Sequence, residues 1–264
     1  MPAAPKISAF IIARNEADRI PAAIASVRML VDEVVVIDSG STDGTPDVCR
    51  DMGARVVHNE WKGYGAQKRF GEDQCRNDWI LNLDADEVLT PELDEEIRAL
   101  FRDGEPEVRC YALRVFAVYP LRKEPTWAAA PTLTVRFYDK RIARFSGHPA
   151  WDHVDTGNHA VATLKGRLLH FSARSIEHVI EKMNAYTSLQ ANAIEKQSLA
   201  LMKLRLWFEF PAALFKSLIL RRQLFEGIDG LVYGMMRAFF RFIRLAKMIE
   251  RAEKDRRPPP DQSS

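Results

Sequence analysis

The sequence predicts an α/β fold built on a mostly parallel central sheet with helices on both faces, and three observations carry that expectation. Residues 7–13 and 33–38 are continuous apolar runs, the second rich in valine and isoleucine, as in strands buried on both faces. Between them, residues 17–30 have helical periodicity. Strand and helix signals then continue to alternate along the first hundred residues.

In chain order, the first helix places Ile20, Ile24, Val27 and Leu30 on one face, and Pro21 fits only in its first turn. Ser41-Thr-Asp-Gly-Thr-Pro46 reads as a turn leading into a helix over 46–52, followed by a short strand at 55–58. Residues 65–75 read as a helix, and 79–83 as a strand ending in Asp84-Ala-Asp-Glu87. Thr90 offers an N-cap, Pro91 a first helical residue, and Glu92 and Asp94 early acids, so a helix is expected over 91–101. Beyond Asp103 the alternation lapses: strands are expected at 110–119, 133–138 and 166–171, and a helix at 175–196. From Leu204 the chain is apolar, aromatic and basic. The expected organisation is a catalytic domain over 1–200, a helical appendage over 201–255, and a disordered tail over 256–264, whose prolines and polar residues cannot bury a core.

Composition bounds the partners. With 264 residues and 47% hydrophobic residues there is ample material for a core, and a formal charge of +2 gives no overall polyanion-binding signature. The late basic residues sit among aromatics rather than in a solvated stripe, which argues against a nucleic-acid partner. Cys49, Cys75 and Cys110 are odd in number and lack a C-x-x-C pair, so neither a disulfide framework nor a zinc knuckle is expected and a reducing cytosol fits. The start lacks the basic region and long apolar core of a signal peptide, and no run reaches the ~18 apolar residues of a membrane span. A soluble or peripheral protein is expected.

The polar residues that could do chemistry fall where the predicted strands end. Ala13, Asn15 and Glu16 close the first strand; Asp38, Ser39, Gly40 and Asp43 follow the second; Asp84, Ala85 and Asp86 follow the fourth. In open α/β sheets ligands bind at the carboxyl ends of strands, so one ligand could touch all three groups. In Asp84-x-Asp86 one carboxylate can face a ribose or helix while the other reaches a hard cation, Mg²⁺ or Mn²⁺, which takes oxygen ligands and completes its shell with phosphates. A lone D-x-D is often just a solvated acidic turn; its place after a hydrophobic strand, partnered by Asp38 and Asp43, favours chemistry. Asp38 could accept hydrogen bonds from a base edge, and Gln67 and Lys68 follow a glycine-bearing segment that could approach a diphosphate. That segment matches neither common phosphate-loop spacing.

Four blocks, Ile11-Ile-Ala-Arg-Asn-Glu16, Val35-Val-Ile-Asp-Ser-Gly-Ser-Thr-Asp-Gly-Thr45, Gly65-Ala-Gln-Lys68 and Leu81-Asn-Leu-Asp-Ala-Asp-Glu87, resemble glycosyltransferase family 2 in order and spacing, over roughly residues 6–175. The resemblance implies a GT-A fold and an inverting, metal-dependent transfer from a UDP-sugar, with UDP-glucose favoured. It implies that Asp38 contacts the uracil, that Asp84 lies near the ribose and that Asp86 binds the metal. An inverting transfer needs a base opposite the leaving group. Phe145-Ser-Gly-His-Pro-Ala-Trp-Asp-His-Val-Asp155 resembles the acceptor block of lipopolysaccharide-core transferases, with Trp151-Asp152 where a His-Glu pair is common. Asp152 is the first candidate base, Asp155 the second and His153 the third. His148, His159, His170 and His178 are read as structural or surface residues, and the histidines lack the spacing of a metal site.

In the appendage Ile228, Leu231, Val232, Met235, Phe239, Phe242, Ile243 and Ile249 follow helical spacing, with Arg237, Arg241 and Arg244 toward another side. Such a helix suits an anionic membrane surface, and equally a core or a homo-oligomer partner. Leu220-Arg-Arg-Gln-Leu-Phe-Glu-Gly-Ile-Asp-Gly-Leu231 also resembles the carboxyl-terminal part of lipopolysaccharide-core glycosyltransferases. This implies an anionic, lipid-linked saccharide acceptor and peripheral attachment to the cytoplasmic face of a bacterial inner membrane. Two rivals stand beside this reading. A sugar nucleotidyltransferase would be expected to carry a glycine-rich loop after the first strand, and Ala13-Arg-Asn-Glu-Ala-Asp18 has no glycine. The presence of Asp38, Asp84 and Asp86 together argues against the second, a non-catalytic sugar-nucleotide sensor or membrane scaffold.

Overall fold

The computed structural model describes residues 6–120, 122–147, 152–193 and 198–256. The chain divides into two compact units: the first runs to Val118 and adds Lys123–Pro125 and Pro131–Ser172, and the second holds Tyr119–Arg122, Thr126–Ala130 and the chain from Ala173 onward.

The strands of the first unit are β1 (Ile7–Ala13), β2 (Glu33–Asp38), β3 (Arg55–His58), β4 (Trp79–Asp84), β5 (Glu87–Leu89), β6 (Cys110–Ala117), β7 (Thr132–Asp139), β8 (Arg144–Phe145), β9 (Val154–Asp155) and β10 (Val161–His170). Its helices are α1 (Ile20–Val27), α2 (Thr45–Asp51), α3 (Tyr64–Gln74) and α4 (Pro91–Ala99). Eight strands form one sheet in the order β3-β2-β1-β4-β7-β6-β10-β5, in which β7 and β5 run against the rest, and β8 pairs with β9 apart from it. The mostly parallel sheet expected from the sequence is therefore present.

Burial on both faces explains why the central strands read as unbroken apolar runs. Ile7, Ala9, Ile11 and Ala13 of β1 point into one core layer with Ile20, Ile24 and Val27 of α1 and Leu93 and Ile97 of α4. Phe10 points to the other layer, with Val35, Ile37, Ile80, Tyr138 and Phe145. There α3 approaches so closely that a Cβ on Gly71 would lie 2.7 Å from Phe10 Cδ2.

Differences from the sequence reading are local. The first helix begins at Ile20 rather than 17, because the amides of Arg19 and Ile20 first close a turn on the Glu16 carbonyl. Strand β5 is three residues long, too short for periodicity to reveal, and is held by antiparallel pairing to β10. Strand β10 begins at Val161, well before 166; it pairs with β6 across an irregularity between Thr163 and Arg167, where Lys165 and Gly166 break the apolar pattern.

The second unit contains α5 (Ile176–Ala193), α6 (Leu199–Phe215), a π-helical turn Lys216–Leu220, a 3-10 turn Gln223–Glu226 and α7 (Gly227–Lys254). Its core joins Ala191, Leu199 and Met202 to Leu245, Met248 and Ile249. The arginines of α7 are partly engaged inside the unit: Arg241 donates to Glu209 at 2.9 Å and Arg244 to Gln190 Oε1 at 3.3 Å. No helix among the described residues is long and apolar enough to cross a membrane. Residues 257–264, most of the expected tail, lie outside the described residues.

Candidate active site

Strand register brings the acidic groups to one edge of the sheet. Ala13 of β1 pairs with Asp38 of β2, and Ile12 pairs with Asp84 of β4. At ~4.8 Å between neighbouring strands, Asp38 and Asp84 flank β1 roughly 10 Å apart, and Asp86 follows two residues on. This is the carboxyl edge of the parallel strands, where open α/β sheets bind ligands.

Asp38 is 5% exposed. Its Oδ2 accepts from the amides of Gly40 at 2.9 Å and Ser41 at 3.1 Å, while the buried Oδ1 has no hydrogen-bond partner among the described residues. A carboxylate oxygen stripped of water and left unpaired is unfavourable unless a ligand supplies the donor.

Asp84 lies between two cations. Arg136 Nη2 is 2.8 Å from its Oδ2 and Lys68 Nζ 2.9 Å from its Oδ1. Burial alone would raise the carboxyl pKa, but Arg136 and Lys68 more than offset this and hold it well below the usual carboxylate range. Arg136 also donates to Asn82 and to Glu87 at 2.9 Å, and Glu87 Oε2 accepts the Asp84 amide at 2.9 Å. Glu87, which ends the Asp84-Ala-Asp-Glu87 block, is thus a fully buried brace for the turn. Lys68 is also buried, at 1% exposure, rather than free on a flexible segment, and its second partner is Asp152 Oδ2 at 2.9 Å.

Asp86 is nearly buried and meets His170 Nε2 at 3.3 Å and Arg19 Nη1 at 3.4 Å. Burial would raise its pKa, but the hydrogen bond and charge of His170 lower it. On His170 burial acts to lower the pKa, and Asp86 raises it on balance. Sequence reading treated His170 as a structural or surface residue; the pairing of β10 with β5 brings it opposite Glu87 and beside Asp86. Among the described residues no group of three or more His, Cys, Asp or Glu could hold a metal, so Asp86 and His170 would need ligands from elsewhere to complete a shell.

The remaining candidates brace the loops around this edge. Asn15, at φ 57, accepts the Thr42 amide at 2.8 Å, and its own amide donates to Ser41 Oγ at 2.9 Å. Glu16 forms a two-oxygen ion pair with Arg19, and its amide donates to Thr45 Oγ1 at 2.8 Å. Asp43 accepts from the Ala17 amide at 3.1 Å and from Thr45. The Ala13 carbonyl accepts the Ser39 amide at 3.0 Å, and Gln67 joins Ser39 Oγ at 2.9 Å to Asn59. Gly40 sits at φ 83 in the turn that Asp38 caps, and Ala85 is buried between the two D-x-D acids. These contacts tie the loops after β1, β2 and β3 into one rim.

Of the base candidates, Asp152 is half exposed at 49% and held by Lys68. Asp155 lies in β9, where its Oδ1 accepts the Gly157 amide at 2.9 Å. His153 is exposed, and its carbonyl accepts the Ser146 amide at 3.2 Å. His148 and Trp151 of the acceptor block lie outside the described residues. Sequence reasoning missed Arg136, Arg19 and His170; a lone arginine between Val135 and Phe137 in a strand was the readable signal, since a buried cation requires a carboxylate partner.

The mostly parallel sheet with this acidic carboxyl edge is of the GT-A type. A family model described as Glycosyl transferase family 2 matches residues 8–161, and the chain belongs to that family. A Rickettsia felis protein described as an uncharacterized glycosyltransferase is 39% identical over 93% of this chain and 90% of its own length. The lipopolysaccharide core biosynthesis glycosyltransferase LpsC of Rhizobium meliloti is 30% identical over 97% of each chain. Among solved structures, glucosyl-3-phosphoglycerate synthase from Mycobacterium tuberculosis, in complex with Mn²⁺, uridine-diphosphate and phosphoglyceric acid, aligns over 74% of this chain and 81% of that chain, with 20% identity and a TM-score of 0.47.

Proposed function

We propose that the chain transfers a hexose, glucose from UDP-glucose, with inversion onto a hydroxyl of an anionic lipid-linked saccharide, in assembly of lipopolysaccharide core or a related envelope glycan, at the cytoplasmic face of a bacterial inner membrane. The observation that carries the donor reading is the buried, unpartnered Oδ1 of Asp38 on the same sheet edge as Asp84 and Asp86. An ionised carboxylate only accepts, so it selects a base edge presenting an N–H, as uracil does at N3. The relationship to the Rhizobium meliloti lipopolysaccharide core enzyme supports the acceptor class.

In the reaction the bond from sugar C1 to the donor diphosphate breaks, a bond from C1 to the acceptor oxygen forms, and the acceptor hydroxyl proton passes to the base. Asp152 takes that role, with Asp155 and His153 as alternatives. Lys68 fixes Asp152 relative to Asp84 through its two 2.9 Å contacts. Asp86 and a neutral His170, freed of their mutual 3.3 Å contact, would supply one oxygen and one nitrogen ligand to a divalent cation, Mg²⁺ or Mn²⁺, and so sparse a set would suit a hard ion whose remaining ligands come from donor phosphates. When bound, the ion offsets the charge of the departing diphosphate.

The test is thermal unfolding of the protein with a panel of nucleotide-sugars, with and without Mn²⁺. UDP-glucose is expected to raise the midpoint more than GDP- or ADP-sugars, and only with the metal; ligands that bind the native state stabilise it. The Asp86→Ala and His170→Ala variants are expected to lose the metal-dependent shift. A UDP-glucose shift of equal size without metal would remove the metal assignment, and no preference for uridine would remove the donor assignment.

A further inference from the structure

We infer that the outward face of α6 and the turns that follow it is a docking surface for a lipid bilayer carrying anionic headgroups. This rests on the reading of a lipid-linked acceptor only for its purpose; the surface itself is argued from the second unit alone.

Helix α6 has two stripes. Leu199, Met202, Glu209 and Ala213 are buried at helical spacing, with Leu199 and Met202 in the core shared with α7. The opposite stripe of an ordinary surface helix is polar. Here it carries Leu204, Phe208 and Phe215, flanked by Trp207, and all four are exposed, Trp207 at 80% and Phe208 at 66%. The apolar exposure continues beyond the helix through Leu220 and Phe225. Large exposed side chains in such a run exceed the scattered apolar residues of a normal surface and mark a binding face.

Charge decides which partner the face fits. Between Leu199 and Ile228 the acids are Glu209 and Glu226, and both are buried, Glu209 against Arg205 and Arg241. Lys216, Arg221 and Arg222 are exposed at the end of the apolar run. Every exposed formal charge on this stretch is therefore positive. A second copy of the chain, docking the same patch on itself about a two-fold axis, would bring these cations onto a shared interface. An anionic bilayer meets the apolar stripe with its acyl boundary and the cations with its headgroups. At 1.5 Å per residue α6 is roughly 25 Å long, and with no helix fit to cross a bilayer among the described residues it would lie in the interface plane. The face differs from the one periodicity suggested: the distal half of α7 lends Leu245, Met248 and Ile249 to the unit's own core.

The experiment is flotation of the full chain with phosphatidylcholine vesicles, with and without phosphatidylglycerol, at physiological salt. The wild type is expected to bind the phosphatidylglycerol vesicles about tenfold more tightly or better, each interfacial cation strengthening the attraction. Trp207→Ser combined with Phe208→Ser is expected to weaken that binding by about tenfold or more. Arg221→Gln combined with Arg222→Gln should erase the preference for anionic lipid. Circular dichroism and UDP-induced thermal stabilisation of each variant report that it is folded. Vesicle binding unchanged by the Trp207 and Phe208 substitutions overturns the proposal, as does absence of wild-type binding. So does a dimer that these substitutions dissociate in a protein that ignores vesicles. Loss of vesicle binding with intact UDP-glucose hydrolysis concerns this surface alone, whereas vesicle binding without any turnover of nucleotide-sugars would count against the transferase reading and leave the surface standing.

Discussion

Lys68 Nζ stands 2.9 Å from Asp84 Oδ1, so the cation that in sequence could approach a diphosphate instead holds the first acid of the D-x-D pair. Lys68 is almost wholly buried and reaches Asp152 as well. Lys68→Met keeps the length of the stem and removes the charge. Because Asp84 retains Arg136 and Asp152 is half exposed, the loss of stability should be smaller than for an isolated buried pair, about 1–3 kcal/mol by urea unfolding. Asp152→Ala should cost less than about 1 kcal/mol. If the two variants proved equally unstable, the bridge from Lys68 to Asp84 would not be the stronger arm.

Gly166 of β10 lies so close to α4 that a Cβ there would stand 2.5 Å from Leu93 Cα and 2.7 Å from Leu93 N. Backbone cannot yield as a flexible side chain can, so Gly166→Ala must push the helix off the sheet. A loss of about 1–3 kcal/mol or more is expected, read as a lower urea midpoint with an unchanged slope. A neutral result would mean that α4 can slide along β10 without cost.

Strands β1, β2 and β4 were legible because each is covered on both sides, and the turns because they are written in local chemistry, as in Asp38-Ser-Gly-Ser-Thr-Asp-Gly. The acids of the site were legible for the same reason: they end apolar runs. What sequence could not give were partners drawn from far along the chain. Arg136 is 52 residues from Asp84, and His170 reaches Asp86 through the short strand β5, whose three residues carry no periodic signal. The apolar face on α7 was readable as a pattern, but periodicity does not say which half of a long helix is packed.

Asp139 is buried where β7 ends, with Arg141 Nη2 at 2.6 Å and Arg109 Nη1 at 2.8 Å. Burial acts to raise its pKa, but the hydrogen bonds from Arg141 and Arg109 prevail and hold it below the ordinary value. A carboxyl with a depressed folded pKa contributes stability above its unfolded pKa, ~3.9, and loses it as pH falls through the folded value. Asp139→Asn should therefore be about 1.5–3 kcal/mol less stable than wild type at neutral pH, with the gap closing below about pH 4. Unfolding measured from pH 7 to pH 3 checks this, and a gap that widens on acidification would reverse the sign of the argument.

Asp38→Asn separates the turn from the ligand. Asparagine can keep its carbonyl oxygen toward the amides of Gly40 and Ser41, so the turn after β2 survives and unfolding free energy should stay within about 1 kcal/mol of wild type. Its NH₂ then occupies the place of the unpartnered Oδ1 and presents a donor where the uracil N3–H also presents one. Two donors facing each other in a buried site lose the hydrogen bond and leave both unsatisfied, which costs about 1.5–3 kcal/mol, roughly a 10- to 100-fold rise in the Kd for UDP by calorimetric titration. A cytidine nucleotide, whose N3 accepts, should lose less or gain, and that change of rank is what a merely structural Asp38 could not produce.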